Sequence, residues 1–193
     1  MIDYITGTVT ELNPAFAVVE CNGIGYGINI SLNTFSALEK DASCKILIHE
    51  AIRDDAHLLY GFATADERNL FRQLITVSGV GAGTARMMLS SLTPSDLREA
   101  IISGNVAILK GVRGIGLKTA QRIIVDLKDK IGKHAGAGEI LTFSDNTTRE
   151  EALSALVMLG FARSSVLKVI DNILRENNKL QVEEIVRKAL KLL

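Results

Sequence analysis

The sequence predicts an α+β chain of several domains: an N-terminal OB-type β barrel, a central all-α domain with two helix–hairpin–helix motifs, and a C-terminal three-helix bundle. Three observations predict it. Residues 1–62 are rich in Ile, Val, Tyr and Phe and are broken by turn signals at short intervals. From Thr64 onward the apolar residues switch to helical spacing. Within that helical part a glycine-rich loop is written twice, as V-S-G-V-G-A-G-T-A near Val77 and V-R-G-I-G-L-K-T-A near Val112. The predicted boundaries are 1–63 for the barrel, 64–132 for the hairpin domain, 133–147 for a linker and 148–193 for the bundle.

The predicted strands are Ile2–Leu12, Phe16–Cys21, Gly25–Ile30, Cys44–Ile52 and His57–Phe62. Asn13-Pro14 and Asn22-Gly23 mark turns between them. Gly25 and Gly27 flank Tyr26 inside a strand, which predicts a bulge or a sharp corner. Five short, bent strands fit a closed barrel of the OB type, with an SH3-like barrel as the alternative.

Thr64 and Glu67 have the form of a capping box that opens a helix with Leu70, Phe71, Leu74 and Ile75 on one face. The first glycine loop interrupts it, and a second helix runs to about Leu89. Thr93-Pro94 starts the next helix, with Leu97, Ala100 and Ile101 as its stripe and Gly104 as its stop. Asn105 caps a short helix ending near Lys110. After the second loop comes a long helix lined by Ala120, Ile123, Ile124, Leu127 and Ile131.

Residues 132–148 have no helical or strand period, and glycine with small polar residues predicts a flexible linker. Thr148 and Glu151 predict a second capping box. Ala152, Leu153, Leu156 and Leu159 line the first tail helix, and Gly160-Phe161 makes a turn. Val166, Val169, Ile170, Ile173 and Leu174 line the second. Val182, Ile185, Val186, Ala189, Leu190 and Leu193 line the third. So small a bundle buries little, which leaves Phe161 as a residue that serves a partner.

Hydrophobic residues make up 47% of the 193, and charged residues 23%, which argues against wholesale disorder. No apolar run approaches the ~20 residues needed to span a bilayer. The start, M-I-D-Y-I-T-G, lacks the basic and apolar regions of a signal peptide, so the expectation is a soluble, cytoplasmic chain. Cys21 and Cys44 read as reduced, buried thiols. His49, His57 and His134 are scattered, and no Cys/His cluster has metal-ligand spacing, so neither a metal nor a cofactor is expected. Net charge is zero, but it is polarised: residues 1–65 carry −5, residues 66–134 carry +5 and residues 135–193 carry 0. The positive charge sits in the segment that holds both loops, where phosphate binding would need it.

Three phosphate-binding readings compete for the loops. A P-loop needs Lys directly after its second glycine, and after Gly116 comes Leu117; it also needs a preceding strand, and the segment before Gly111 reads as helix. A dinucleotide fingerprint fails at Gly79-Val80-Gly81-Ala82-Gly83, which has one residue too few and no strand before it. A helix–hairpin–helix needs an apolar residue between two glycines, followed by a helix with a small residue early on. Both copies satisfy that pattern, with Gly79, Val80, Gly81, Thr84 and Ala85 matched by Gly114, Ile115, Gly116, Thr119 and Ala120 at one fixed offset. Val80 and Ile115 are expected to plug into the core and leave backbone N–H groups facing outward at a helix start, where a phosphate is favoured. Such a device grips backbone and not bases, with strong salt dependence. Aromatics are 5% of the chain, which argues against single-strand binding by stacking. Two rivals from other classes are a helix–hairpin–helix glycosylase or nuclease and a protein-binding scaffold. The first needs a catalytic Asp or Lys beside the hairpin, and the neighbours of Asp126 suggest an exposed face.

This order of parts resembles the RuvA family, bacterial proteins that bind Holliday junctions, over the whole chain. The run Arg53-Asp54-Asp55-Ala56-His57-Leu58-Leu59-Tyr60-Gly61-Phe62 is similar to the family's acidic-pin segment, although the family often shows Glu then Asp. The resemblance implies a homotetramer, or an octamer of two tetramers, laid on four-way junction DNA. It implies Asp54 and Asp55 as acidic pins, and DNA contacts from Gly79, Val80, Gly81, Gly83, Thr84, Gly114, Ile115, Gly116, Lys118, Thr119 and Arg122. Gly83 and Leu117 stand where family members often carry Lys, and Arg86 and Lys110 are expected as substitutes. It implies a tail that docks the RuvB hexameric ATPase through Leu156, Leu159, Gly160 and Phe161, and RuvC resolvase as a further partner. Catalysis would belong to RuvB, the chain itself being non-catalytic, and no membrane is involved.

Overall fold

Five strands close into one barrel: β1 (Tyr4–Asn13), β2 (Phe16–Cys21), β3 (Ile24–Ile30), β4 (Ser43–Arg53) and β5 (Ala56–Phe62). The computed structural model describes residues 1–135, 145–177 and 180–193. The strand order is β1-β2-β3-β5-β4, closed back on β1. All pairs are antiparallel except β3 with β5. This is the OB-type barrel, and the SH3-like alternative falls away. Alternation along the strands puts Ile5, Val9, Val19, Ile28, Ile30, Ile46 and Ile48 in the barrel interior. Cys21 and Cys44 are half-buried free thiols at its margin, not the fully buried ones expected.

The expected bulge is not in β3. Its register with β2 runs unbroken from Cys21↔Ile24 to Phe16↔Asn29. The irregularity falls in β1, between Val9 and Glu11. Gly27 makes room instead, since a Cβ there would lie 2.8 Å from the Phe16 ring. The closest approach is at Gly7, where a Cβ would stand 2.1 Å from the Glu20 carbonyl oxygen.

Between β3 and β4 lies α1 (Leu32–Ala37), a helix the sequence reading did not foresee. Ser31 caps it by accepting the Thr34 N–H at 3.0 Å. Six residues carry too little periodicity to announce a helix.

The helical domain comprises α2 (Ala65–Leu74), α3 (Ala82–Ser91), α4 (Pro94–Ile102), α5 (Val106–Gly111) and α6 (Leu117–Ala135). Their starts match the predicted caps at Thr64, Thr93 and Asn105. The box at Thr64 forms only by half. Thr64 accepts the Glu67 N–H at 3.2 Å, but the Glu67 carboxylate turns away to Ser31 and Thr34. Leu70, Phe71, Leu74, Met88, Leu97, Ile101, Leu109, Ile123 and Leu127 form the core. Outward-facing Tyr60 and Phe62 of β5 join it, with ring centroids 5.3 Å and 4.8 Å from Phe71. Barrel and hairpin domain therefore share one apolar seam, and Met1–Gly136 is one compact unit.

The second unit, Ala137–Leu193, contains α7 (Asp145–Met158), α8 (Arg163–Glu176) and α9 (Val182–Ala189). Ala152, Leu153, Leu156, Val166, Ile170, Ile173, Ile185 and Ala189 form its core. α7 starts at Asp145, so Thr148 lies inside the helix and not ahead of its first turn. The last tail box is at α9, where the Glu184 carboxylate accepts the Gln181 N–H at 3.2 Å. Leu159, Leu190 and Leu193 leave the expected stripes and are exposed. The helices α6 and α7 extend into both ends of the expected 133–147 linker, and 136–144 lie outside the described residues. No helix among the described residues is long and apolar enough to cross a membrane.

Candidate nucleic-acid interface

The two glycine loops repeat bond for bond, 35 residues apart. Val77 N–H donates to Leu74 O at 3.0 Å, and Val112 N–H to Leu109 O at 3.2 Å. Val80 N–H donates to Val77 O at 3.0 Å, and Ile115 N–H to Val112 O at 3.1 Å. Ala85 N–H donates to Gly81 O, and Ala120 N–H to Gly116 O, both at 2.9 Å. Gly79 and Gly114 turn the chain with φ of +93° and +89°, a region that side chains with a Cβ avoid. Val80 and Ile115 are buried and pin each loop to the core.

The last bond in each set is the first helical one. The preceding amides, Ala82 to Thr84 and Leu117 to Thr119, therefore have no intrahelical acceptor. Gly81 has no side chain with which to cap α3. Around Gly81, Gly83 and Gly116 an added Cβ would meet nothing within 4 Å, so the helix starts stand open. Three amides and the positive end of a helix face that space in each copy, which suits a phosphate oxygen.

The side chains around the two loops are not repeated. Arg113, Lys118 and Arg122 of the second copy align with Ser78, Gly83 and Met87 of the first. All three cations are exposed, as is Lys110. Arg122 makes only a loose 3.8 Å pair with Asp126. Ahead of the second loop the arginines of the basic segment are already engaged. Arg68 pairs with Asp3 at 2.8 Å, and Arg98 with Asp66 at 2.6 Å. Arg86, expected beside the DNA, instead donates to Ala15 O at 2.7 Å on the barrel. The exposed cations next to a glycine loop are thus those of the second copy. Thr84 and Thr119 are half-buried at matching places.

Asp54 and Asp55 form the tip of the β4–β5 hairpin, between the Arg53↔Ala56 pair. Both are exposed, as are their strand neighbours Ile52, Arg53 and His57. At the end of α7 the expected docking residues part company. Leu156 is fully buried, while Leu159 is 61% exposed. Gly160 turns the chain with φ +98°, and Phe161 is half-buried against the bundle core. Met158, which the sequence reading passed over, is 86% exposed.

Three family models match in chain order. "RuvA N terminal domain" matches residues 1–61, "SAM-like Helix-hairpin-helix tandem" residues 71–129, and "RuvA, C-terminal domain" residues 147–193. A Bacteroides fragilis protein described as "Holliday junction branch migration complex subunit RuvA" is 52% identical, over 99% of each chain. The chain belongs to the RuvA family. Relatives with the same description from Christiangramia forsetii and Porphyromonas gingivalis are 51% and 48% identical, over 99% and 100% of both chains. In RuvA-family terms the first compact unit holds the N-terminal and tandem-hairpin parts, and the second holds the C-terminal part.

Two residues of this RuvA-family chain escaped the reading by motif. Arg113 sits inside the quoted V-R-G-I-G, and its missing counterpart at Ser78 was the signal. Met158 was hidden because apolar residues at a helix end read as core.

Proposed function

We propose that this chain binds four-way (Holliday) DNA junctions, holds them open and planar, and recruits the RuvB ATPase for branch migration in recombination and repair. The observation that carries the proposal is the doubled loop, with the same backbone bonds and two open helix starts. Each loop offers amides to a phosphate, so a hairpin pair grips the backbone of one duplex arm without reading its bases. Lys110, Arg113, Lys118 and Arg122 add the long-range attraction.

Four copies around a fourfold axis would hold four arms, with Asp54 and Asp55 of each copy at the centre. Carboxylates there repel the crossing phosphates and keep the strands apart, so that bases can unpair and re-pair. The C-terminal unit offers Met158, Leu159 and the Gly160–Phe161 turn to RuvB. RuvB supplies ATP hydrolysis, and this chain is the non-catalytic subunit, working in the cytoplasm. The resemblance extends the partners to the RuvC resolvase.

The test is branch migration of a synthetic four-way junction by RuvB. Adding this chain should stimulate it, and the Asp54→Asn, Asp55→Asn double variant should bind the junction as well or better while migrating it abnormally. No stimulation by the unaltered chain would refute the proposal. Weaker binding by the double variant would refute charge repulsion at the centre.

A further inference from the structure

Among the described residues the buried polar or charged side chains are Ser31, Thr34 and Glu67, and all three meet in one place. Ser31 Oγ accepts the Thr34 N–H and donates to Glu67 Oε1. Thr34 Oγ1 accepts the Ala63 N–H at 3.1 Å and donates to Glu67 Oε2 at 2.7 Å. Each hydroxyl directs its single proton at the carboxylate. The knot joins α1, the end of β5 and the first turn of α2.

The same short helix also holds α3. Asn33 Nδ2 donates to the carbonyls of Leu89 and Leu92, the second at 3.0 Å. The Leu32 N–H donates to Ser90 Oγ at 3.1 Å. Carbonyls at a helix end have no intrahelical donor, so Asn33 completes them. α2 enters the first glycine loop and α3 leaves it. α1 therefore grips both helices of that motif from the barrel side, and the barrel carries the acidic tip.

We propose that α1 is a clamp that fixes the first glycine loop relative to the Asp54–Asp55 tip. Asn33, Thr34 and Glu67 are then positioning residues for the choice of junction over duplex. The proposal rests on the junction-binding reading. A duplex arm needs only the hairpin pair, wherever the tip stands. A junction needs the hairpins and the tip at a fixed separation. Apolar packing alone would let the two parts slide, whereas bonds to a buried carboxylate specify a geometry. The barrel also offers apolar packing through Tyr60 and Phe62 and more exposed bonds from Arg68 to Asp3 and from Arg86 to Ala15 O, so the knot adds the buried, directed tie.

The test measures geometry and selectivity in the same full-length chains. Spin labels at Arg53→Cys and Ser78→Cys, in a Cys21→Ser, Cys44→Ser background diluted with unlabelled chain, report the distance between tip and loop. Thr34→Val and Asn33→Ala should broaden that distance distribution, and Thr34→Ser should restore it. The junction-to-duplex affinity ratio should fall about tenfold in the first two variants, with duplex affinity held within about twofold. An unchanged distribution in folded variants overturns the clamp. Junction and duplex affinities that fall by the same factor overturn the positioning role. An unaltered chain with no junction preference refutes the junction reading instead, and the distance distribution still decides whether α1 clamps.

Discussion

Gly83 and Lys118 occupy the same place in two copies of one loop, the second residue of the helix that follows it. Their backbones make equivalent bonds, yet only one brings a charge. A Cβ at Gly83 meets nothing within 4 Å, so a longer side chain fits. Gly83→Lys should tighten DNA binding and steepen its log–log salt slope by about 0.9 per added phosphate contact. Lys118→Ala should flatten it by a similar amount. Titrations of one duplex across a range of salt concentrations check both, and equal slopes for all three chains would contradict the charge asymmetry.

Glycines in these loops act in two ways, and substitution should separate them. Gly114 has φ +89°, so Gly114→Val should cost about 1–3 kcal/mol of stability through backbone strain. Gly116 lies outside the positive-φ positions and has open space around it. Gly116→Ala should leave the melting temperature intact and weaken binding to every sequence alike, because its methyl stands where a phosphate would approach. Thermal melts and binding to several unrelated duplexes measure this. Loss of affinity for only some sequences would count against a backbone grip.

Two groups give stability opposite dependences on pH. His49 lies edge-on to Phe71, with centroids 5.3 Å apart. Burial, then the charges of Arg72 and Arg68, hold its pKa below the ordinary 6.5, against a smaller opposing pull from Glu50. The folded chain thus resists protonation that the unfolded chain accepts. Its contribution is present above about 6.5 and is lost as pH falls through the lowered value. Glu67 is pushed above the ordinary 4.5 by burial, partly offset by the Ser31 and Thr34 hydroxyls, with Asp66 adding to the rise. Its contribution is full below 4.5 and is lost as pH rises through the raised value. Urea midpoints against pH should therefore flatten below about 6.5 in His49→Gln and above about 4.5 in Glu67→Gln.

Leu156 and Leu159 should behave differently. Leu156 is fully buried, so Leu156→Ala should cost about 2–5 kcal/mol in the C-terminal unit through the cavity it leaves. Leu159→Ser and Met158→Ser should leave the melting temperature unchanged, because both side chains are exposed. They should reduce stimulation of RuvB ATPase while DNA binding is kept. Full stimulation by the double variant would place the docking surface elsewhere.

The doubled loop was legible because each part leaves a distinct mark in sequence. A glycine at positive φ, an apolar residue after it, a second glycine and a small residue one turn on are all local requirements. The barrel was legible from alternation and turns. What escaped depends on distant partners. Arg86 looks like a free cation until Ala15, on a barrel strand turn, is seen to accept from it. Glu67 looks like half of a capping box until α1 supplies two hydroxyls. Gly25 and Gly27 look like a bulge or corner because the sequence does not show that the Val18 side chain and the Phe16 ring approach them. Leu159 keeps the spacing of Leu156, but α7 ends at Met158 and the stripe ends with it.

Junction recognition needs the hairpin pairs and the acidic tips together, so the decisive measurement is a competition at physiological salt. An immobile four-way junction competes with linear duplex of equal length and base composition for the full-length chain. Preference for the junction by about tenfold or more is expected, and it should be insensitive to the sequence of the arms. Equal affinity for the two DNAs would contradict the account.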